Sequence, residues 1–144
     1  MQSTVTFDLD TTNPDSKLGV EVWLNDQQWL NCDHVIELIP VKITVDDDRD
    51  AKHELKIVLK HKTINHTTLD HNGNIVQDSC VTVNNFKFDD IEVDQLVSEQ
   101  AVYRHSFNSD QLAIEDKFYW NLGCNGTVTM KFQTPIYIWL LENM

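Results

Sequence analysis

FYWNLGCNGTVTMKFQTPIYIWLLENM, residues 118–144, decides how this chain is read. In its middle, Val128, Met130 and Phe132 alternate with Thr127, Thr129 and Lys131. A period of two, with one apolar and one polar face, marks a strand covered on one side. Gly123-Cys124-Asn125-Gly126 reads as the loop leading into it. Beyond Pro135 the alternation continues, and an extended reading puts Tyr137, Trp139 and Leu141 on one face. Ile136, Ile138 and Leu140 then fall on the other. Two apolar faces need cover on both sides, from a loop of the same chain or from a neighbouring subunit. No polar tail follows Leu141, and loose termini are normally polar, so the segment is expected to be tied into the fold or into a partner. Tyr137, Trp139 and Leu141 are therefore the candidate assembly contacts.

The same alternation recurs upstream. Val5, Phe7 and Leu9 oppose Thr4, Thr6 and Asp8; Val20, Val22 and Leu24 oppose Glu21, Trp23 and Asn25. Leu55, Ile57 and Leu59 oppose Lys56, Val58 and Lys60, and Phe86 and Phe88 flank Lys87. Turn sequences separate these runs: Asn13-Pro14-Asp15-Ser16, Asn25-Asp26-Gln27, Asp46 to Asp50, and Asp70-His71-Asn72-Gly73-Asn74, where Asn-Gly tolerates positive φ. Sheets that each bury only an inner face stack into a sandwich. The predicted fold is all-β: an antiparallel, jelly-roll-like β-sandwich with a C-terminal strand pair. At most one short helix is expected, within Val93–Tyr103, where Leu96 and Val97 allow one turn face. Residues 1–144 form a single domain, those after about 97 supplying closing strands or a small appendage.

Composition narrows the function classes. Twenty-three acidic against 11 basic residues give a formal charge of −12. Such a surface repels nucleic-acid phosphates and anionic membranes, so neither is an expected partner. No apolar run reaches the length of a membrane span. MQSTVTFDLD lacks a basic segment followed by an apolar run, the pattern of a secretory leader. Cys32, Cys80 and Cys124 are odd in number and widely spaced, which favours buried thiols in a reducing compartment over a disulfide framework.

No catalytic signature emerges. The four glycines cradle no phosphate, no G-x-S-x-G elbow occurs, and His53 and His105 find no serine partner in sequence pattern. Two acidic groups are candidate calcium ligands, since hard cations take several carboxylates. Asp46, Asp48 and Asp50 form the first, with a solvated loop as the alternative. Asp90, Glu92 and Asp94 form the second: on a strand they share one face, a pattern that also blocks edge pairing. Among the tryptophans, Trp23 sits on the polar side of its strand. It is the candidate for stacking on a sugar ring or anchoring a partner.

Two resemblances carry the reading further. The run Leu18-Gly19-Val20-Glu21-Val22-Trp23-Leu24-Asn25-Asp26-Gln27 is similar to the opening of small calcium-dependent, xylan-binding carbohydrate-binding modules. Glu54 to Leu59 and Phe88-Asp89-Asp90-Ile91-Glu92-Val93-Asp94 continue that likeness. The resemblance implies a β-sandwich, a glycan ligand and Ca²⁺ as a cofactor. Those modules carry acidic ligands after the strand corresponding to Leu55–Leu59; here His61-Lys62-Thr63 stands there, with Asp70 and Asp78 further on.

The chain as a whole resembles small virion proteins of marine and cyanobacterial tailed phages. That likeness lies in His61-Lys62-Thr63 to Thr67, Asp70 to Asn74, Ala101 to Asn108, Gly123 to Val128 and Ile136 to Met144. It implies a non-enzymatic structural protein of the head, neck or tail, made in the host bacterial cytoplasm. Such a protein assembles with other phage proteins as a homo-oligomer. The resulting expectation is a virion structural protein, with a glycan-binding module for host-surface polysaccharide as the alternative.

Overall fold

A computed structural model describes residues 2–62, 67–69, 71–73, 75–105 and 114–143. The strands, in chain order, are β1 (Gln2–Thr11), β2 (Gly19–Leu24), β3 (Gln27–Cys32), β4 (Ile39–Asp46) and β5 (Ala51–Lys60). They continue with β6 (Thr67–Leu69), β7 (Ile75–Asp78), β8 (Val81–Phe88), β9 (Ile91–Glu92) and β10 (Val102–His105). The last are β11 (Ile114–Lys117), β12 (Asn121–Leu122) and β13 (Gly126–Thr134). Two helices are described, α1 (Asp94–Gln100) and α2 (Ile136–Asn143).

The strands form two antiparallel sheets that face each other. One has the order β12-β8-β1-β4, with β9 also paired to β8; the other has the order β11-β10-β13-β5-β2-β3. The chain crosses repeatedly between them, which is the jelly-roll character expected from sequence. A separate hairpin joins β6 and β7.

The alternating apolar residues fill the space between the sheets. Val5, Phe7 and Leu9 of β1 and Phe86 and Phe88 of β8 meet Val20, Val22, Leu55, Ile57, Leu59, Val128, Met130 and Phe132 from the other sheet, all of them buried. Each such side chain contributes roughly 1.5–3 kcal/mol on burial. An aromatic seam crosses the interface. Phe7 stacks on Phe86 at 5.2 Å, and Phe88 meets Phe132 at 5.1 Å.

The turns follow their sequence signals. Asn13 Oδ1 accepts the backbone N–H of Asp15 and caps a 3-10 turn at Pro14–Ser16. Asn25, at φ 54, and Asp26 connect β2 to β3. Gly73, at φ 85, lies between β6 and β7; Asp70 and Asn74 of that predicted turn lie outside the described residues. So do residues 106–108 and Met144. Cys32, Cys80 and Cys124 form no disulfide, and each is half-buried rather than buried.

The C-terminal segment departs from the extended reading. Residues 136–143 are helical, so the described residues hold two short helices rather than one, and among them no strand follows β13. Pro135 ends β13 by removing a ladder donor. Asp47 Oδ1 then accepts the N–H of Ile136 at 2.7 Å, satisfying a first-turn donor from another part of the chain. The buried residues of α2 are Ile136, Trp139 and Leu140, spaced i, i+3, i+4. Alternation of Ile136, Ile138 and Leu140 conceals that helical spacing in the sequence. α1 lies where a short helix is expected, burying Leu96 and Val97.

Candidate functional site

With the inner faces committed to the core, each sheet presents an outer face, and the six strands of β11-β10-β13-β5-β2-β3 present the broader one. Period two aims every second residue there. Register aligns those residues in rungs. Trp23 of β2 pairs with Lys56 of β5, Lys56 with Thr129 of β13, and Thr129 with Val102 of β10. The neighbouring rung runs Val58, Thr127, Arg104 and Glu115. A third pairs Glu54 with Lys131.

These rungs line a groove of 990 Å³, joined by Asn25 and Asp26 from the β2–β3 turn and Gln100 from the end of α1. From β2 to β11 it crosses four strand spacings, about 19 Å. Lys56, Val58, Thr127 and Thr129 are half-buried and form its floor; Arg104, Glu115 and Lys131 are exposed along it.

The groove carries three carboxylates, Asp26, Glu54 and Glu115, and three cations, Lys56, Arg104 and Lys131. It is thus balanced in charge on a protein of formal charge −12. Glu54 pairs with Lys56 at 3.0 Å. Among the described residues, Arg104 and Lys131 form no ion pair and keep their donors available. Trp23, Val58 and Val102 supply apolar surface between these polar groups. The arrangement suits a ligand with both hydroxyls and flat apolar faces.

One end of the groove is clamped. Asn25 N–H donates to the Glu54 carbonyl at 2.8 Å, and Glu54 N–H donates to Asn25 Oδ1 at 2.9 Å. The Asn25 amide nitrogen lies 3.2 Å from His53 Nδ1. At the opposite edge Gly126 pairs with His105, and a Cβ there would run into the Arg104 carbonyl. Close backbone approach at Gly126 therefore sets where β10 holds Arg104.

The residues singled out from sequence separate into those the groove gathers and those it does not. Trp23 lines the groove, half-buried, on the polar face of β2 as expected. The carboxylates beside it are Asp26 and Glu54.

Asp46, Asp48 and Asp50 lie exposed at the end of β4 and in the loop that follows. Asp46 Oδ1 accepts the N–H of Asp48 at 3.0 Å, and its other oxygen lies 3.8 Å from Arg49. The row of Asp90, Glu92 and Asp94 on one strand face does not form. Asp90 is in a turn at φ 67, Glu92 ends β9, and Asp94 starts α1. Among the described residues no group of three or more His, Cys, Asp or Glu is disposed to hold a metal ion. The side chains of Asp70 and Asp78 lie outside the described residues.

Tyr137, Trp139 and Leu141 do not share a face. Trp139 is 5% exposed and packs on Phe88 and Phe132, whereas Tyr137 is 50% and Leu141 83% exposed. Ile138, at 55%, joins the exposed pair. Lys56, Arg104, Glu115, Lys131, Asn25 and His53 were not anticipated as a group. The signal for Lys56 and Lys131 was present, since they occupy the polar parity of strands whose apolar parity is plain in the sequence; β10 and β11, which carry Arg104 and Glu115, show no such alternation.

Fold and groove together define an antiparallel β-sandwich with an open groove across the outer face of one sheet. No protein-family model matches the chain, and no curated protein matches it. Two solved structures resemble it. One is vCBM60 in complex with galactobiose, at 12% identity and a TM-score of 0.49, covering 88% of this chain and 95% of that one. The other is a selenomethionine form of vCBM60, reported with two families of calcium-dependent carbohydrate-binding modules related by circular permutation. It shows 11% identity and a TM-score of 0.50, covering 88% of each chain. At this identity, the second likeness establishes the shared fold.

Proposed function

We propose that the chain is a non-catalytic glycan-binding module that holds an uncharged polysaccharide in the groove on its outer sheet face. The observation that carries this reading is the groove itself. Trp23, Val58 and Val102 can lie against the C–H faces of sugar rings. Thr127, Thr129, Arg104, Lys131 and the carboxylates can exchange hydrogen bonds with hydroxyls. The balanced lining favours a neutral chain, and the surrounding negative charge opposes a polyanionic one. The fold shared with a calcium-dependent carbohydrate-binding module adds support.

A glycan array of neutral, uronate-bearing and sulfated chains tests the reading, with Trp23→Ala as the paired control. Binding confined to neutral chains and lost in Trp23→Ala is expected. Binding of sulfated chains alone, or binding untouched by the substitution, would overturn it.

The exposed surface of α2 favours a second reading, which concerns attachment. Tyr137, Ile138 and Leu141 leave apolar area uncovered. In this reading they seat the module on a tailed-phage particle or on further copies of itself, leaving the groove to meet host-surface polysaccharide. Cross-linking mass spectrometry on purified particles tests it. Links from Lys117 or Lys131 to a head or tail protein are expected, and absence of the protein from clean particles would remove it.

A further inference from the structure

His53 lies beside Asn25, which lines the groove, and its surroundings fix its protonation. It is on the inward parity of β5, with its ring stacked on Phe132 at 5.1 Å. Glu54 N–H donates to Asn25 Oδ1 at 2.9 Å, which sets the orientation of that amide. The Asn25 NH₂ is then the group 3.2 Å from His53 Nδ1, so Nδ1 must accept. On the other side, Thr134 Oγ1 donates its proton to the Arg49 carbonyl at 2.7 Å. The hydroxyl therefore accepts from His53 Nε2, 3.2 Å away. Both ring nitrogens are satisfied only in the neutral Nε2–H form.

A second proton on the ring would place an N–H at Nδ1, facing the Asn25 NH₂. Two donors cannot share that contact. If the Asn25 amide turns over to accept from His53, its NH₂ faces the Glu54 N–H instead. Either way one bond is lost. That network ties down the turn carrying Asn25 and Asp26, two residues beyond Trp23, and Asn25, Asp26, Glu54 and Trp23 all line the groove.

We infer that His53 is a positioning residue that latches the Trp23 end of the groove while its imidazole is neutral, so that the groove loses affinity for glycan as the medium becomes acid. Burial pushes the imidazole below its ordinary value of 6.5, as a ring held neutral requires. Other charged groups border the same clefts: Lys52 and Glu54 on β5, Lys131 on β13, Asp26 in the β2–β3 turn and Asp46 on β4. Among the described residues none of them forms an ion pair with His53. The latch deepens the glycan reading given above, but its geometry stands whether or not a glycan binds.

Two measurements separate the two. In the first, nitrogen NMR of the wild-type protein follows the His53 ring, the Asn25 side-chain amide and the backbone amides of Trp23, Asp26 and Glu54 across pH. The Nε2–H form is expected at neutral pH, with all these resonances moving on the His53 titration curve. A Nδ1–H form, or a ring that titrates while Asn25 and Trp23 stay still, would overturn the latch. In the second, affinity electrophoresis in soluble xylan compares wild type with His53→Gln at about pH 7.5 and about pH 5. Wild type should lose about five-fold in affinity on acidification, the worth of one net hydrogen bond. His53→Gln should show a flat profile. Equal losses in both proteins would assign the effect to the bordering carboxylates and overturn the latch, as would a flat wild-type profile with xylan bound. No retardation by xylan alongside a coupled NMR titration would sustain the latch and remove xylan as the ligand.

Discussion

Alanine substitutions along α2 distinguish a helix from a strand in a way that no other segment of this chain allows. A strand would make Tyr137, Trp139 and Leu141 act together, against Ile136, Ile138 and Leu140. In the helix, the set that matters is Ile136, Trp139 and Leu140. Trp139 is the largest of these, and its ring sits 5.7 Å from Phe88 and 6.2 Å from Phe132, both edge-on. Truncating a buried tryptophan to alanine costs roughly 3–5 kcal/mol, and two aromatic contacts of about 0.5–1.5 kcal/mol each put Trp139→Ala toward the upper end. At about 3 °C per kcal/mol for a chain of this size, its melting midpoint should fall by roughly 10–15 °C. Leu141→Ala and Tyr137→Ala remove exposed side chains and should stay within about 0.5 kcal/mol. Thermal and urea unfolding followed by circular dichroism read both quantities. If Tyr137→Ala or Leu141→Ala were as costly as Trp139→Ala in the isolated protein, the helical assignment of burial would be wrong.

Other perturbations reach the groove and its supports. Trp23→Ala should leave the melting midpoint within about 3 °C of wild type while weakening glycan binding about ten-fold or more, the scale of an aromatic anchor, by titration calorimetry. Gly126→Ala would press a Cβ against the Arg104 carbonyl, so β10 must shift; a loss of roughly 1–3 kcal/mol in urea unfolding is expected, with weaker glycan binding. Asp47→Ala removes the acceptor of the Ile136 N–H and should cost about 1 kcal/mol. His53 has its folded value depressed below 6.5, so the unfolded chain binds its proton first. Its contribution to stability is whole above that pH and is lost as pH falls through the folded value. Urea midpoints of wild type and His53→Gln should therefore diverge below about pH 6.5 and run parallel above it.

Much of the sandwich was legible because period-two patterning is a direct record of which face is buried. Val5, Phe7 and Leu9, or Val128, Met130 and Phe132, need no tertiary knowledge to be placed inward. The C-terminal helix was not legible in the same way. In IYIWLL apolar residues occupy every position, so both periods fit, and the deciding contact comes from Asp47, far away in sequence. The groove was half legible. Trp23 stood out as an aromatic on a polar parity, but its companions lie on β5, β13, β10 and β11. Which polar residues of those strands share a rung is set by register, and register depends on strand order that no local pattern carries.

The acidic sets illustrate how a carboxylate's role depends on the nearest backbone donor. Asp46 accepts from Asp48 N–H, Asp47 from Ile136 N–H, and Asp89 from Thr4 N–H at 2.7 Å, with Asp89 N–H returning a bond to the Thr4 carbonyl at 2.9 Å. Asp47 and Asp89 thereby join the loop after β4 to the start of α2 and the end of β8 to β1. A carboxylate committed this way has less lone-pair capacity to offer a cation, and a shared cation site would need these loops to converge. Of the candidate ligands, Asp46 is committed to neighbouring backbone in this way. The proposed recognition face lies elsewhere, on the outer sheet surface, where the lateral pairing of four strands brings together Trp23, Lys56, Thr129, Val102 and Arg104.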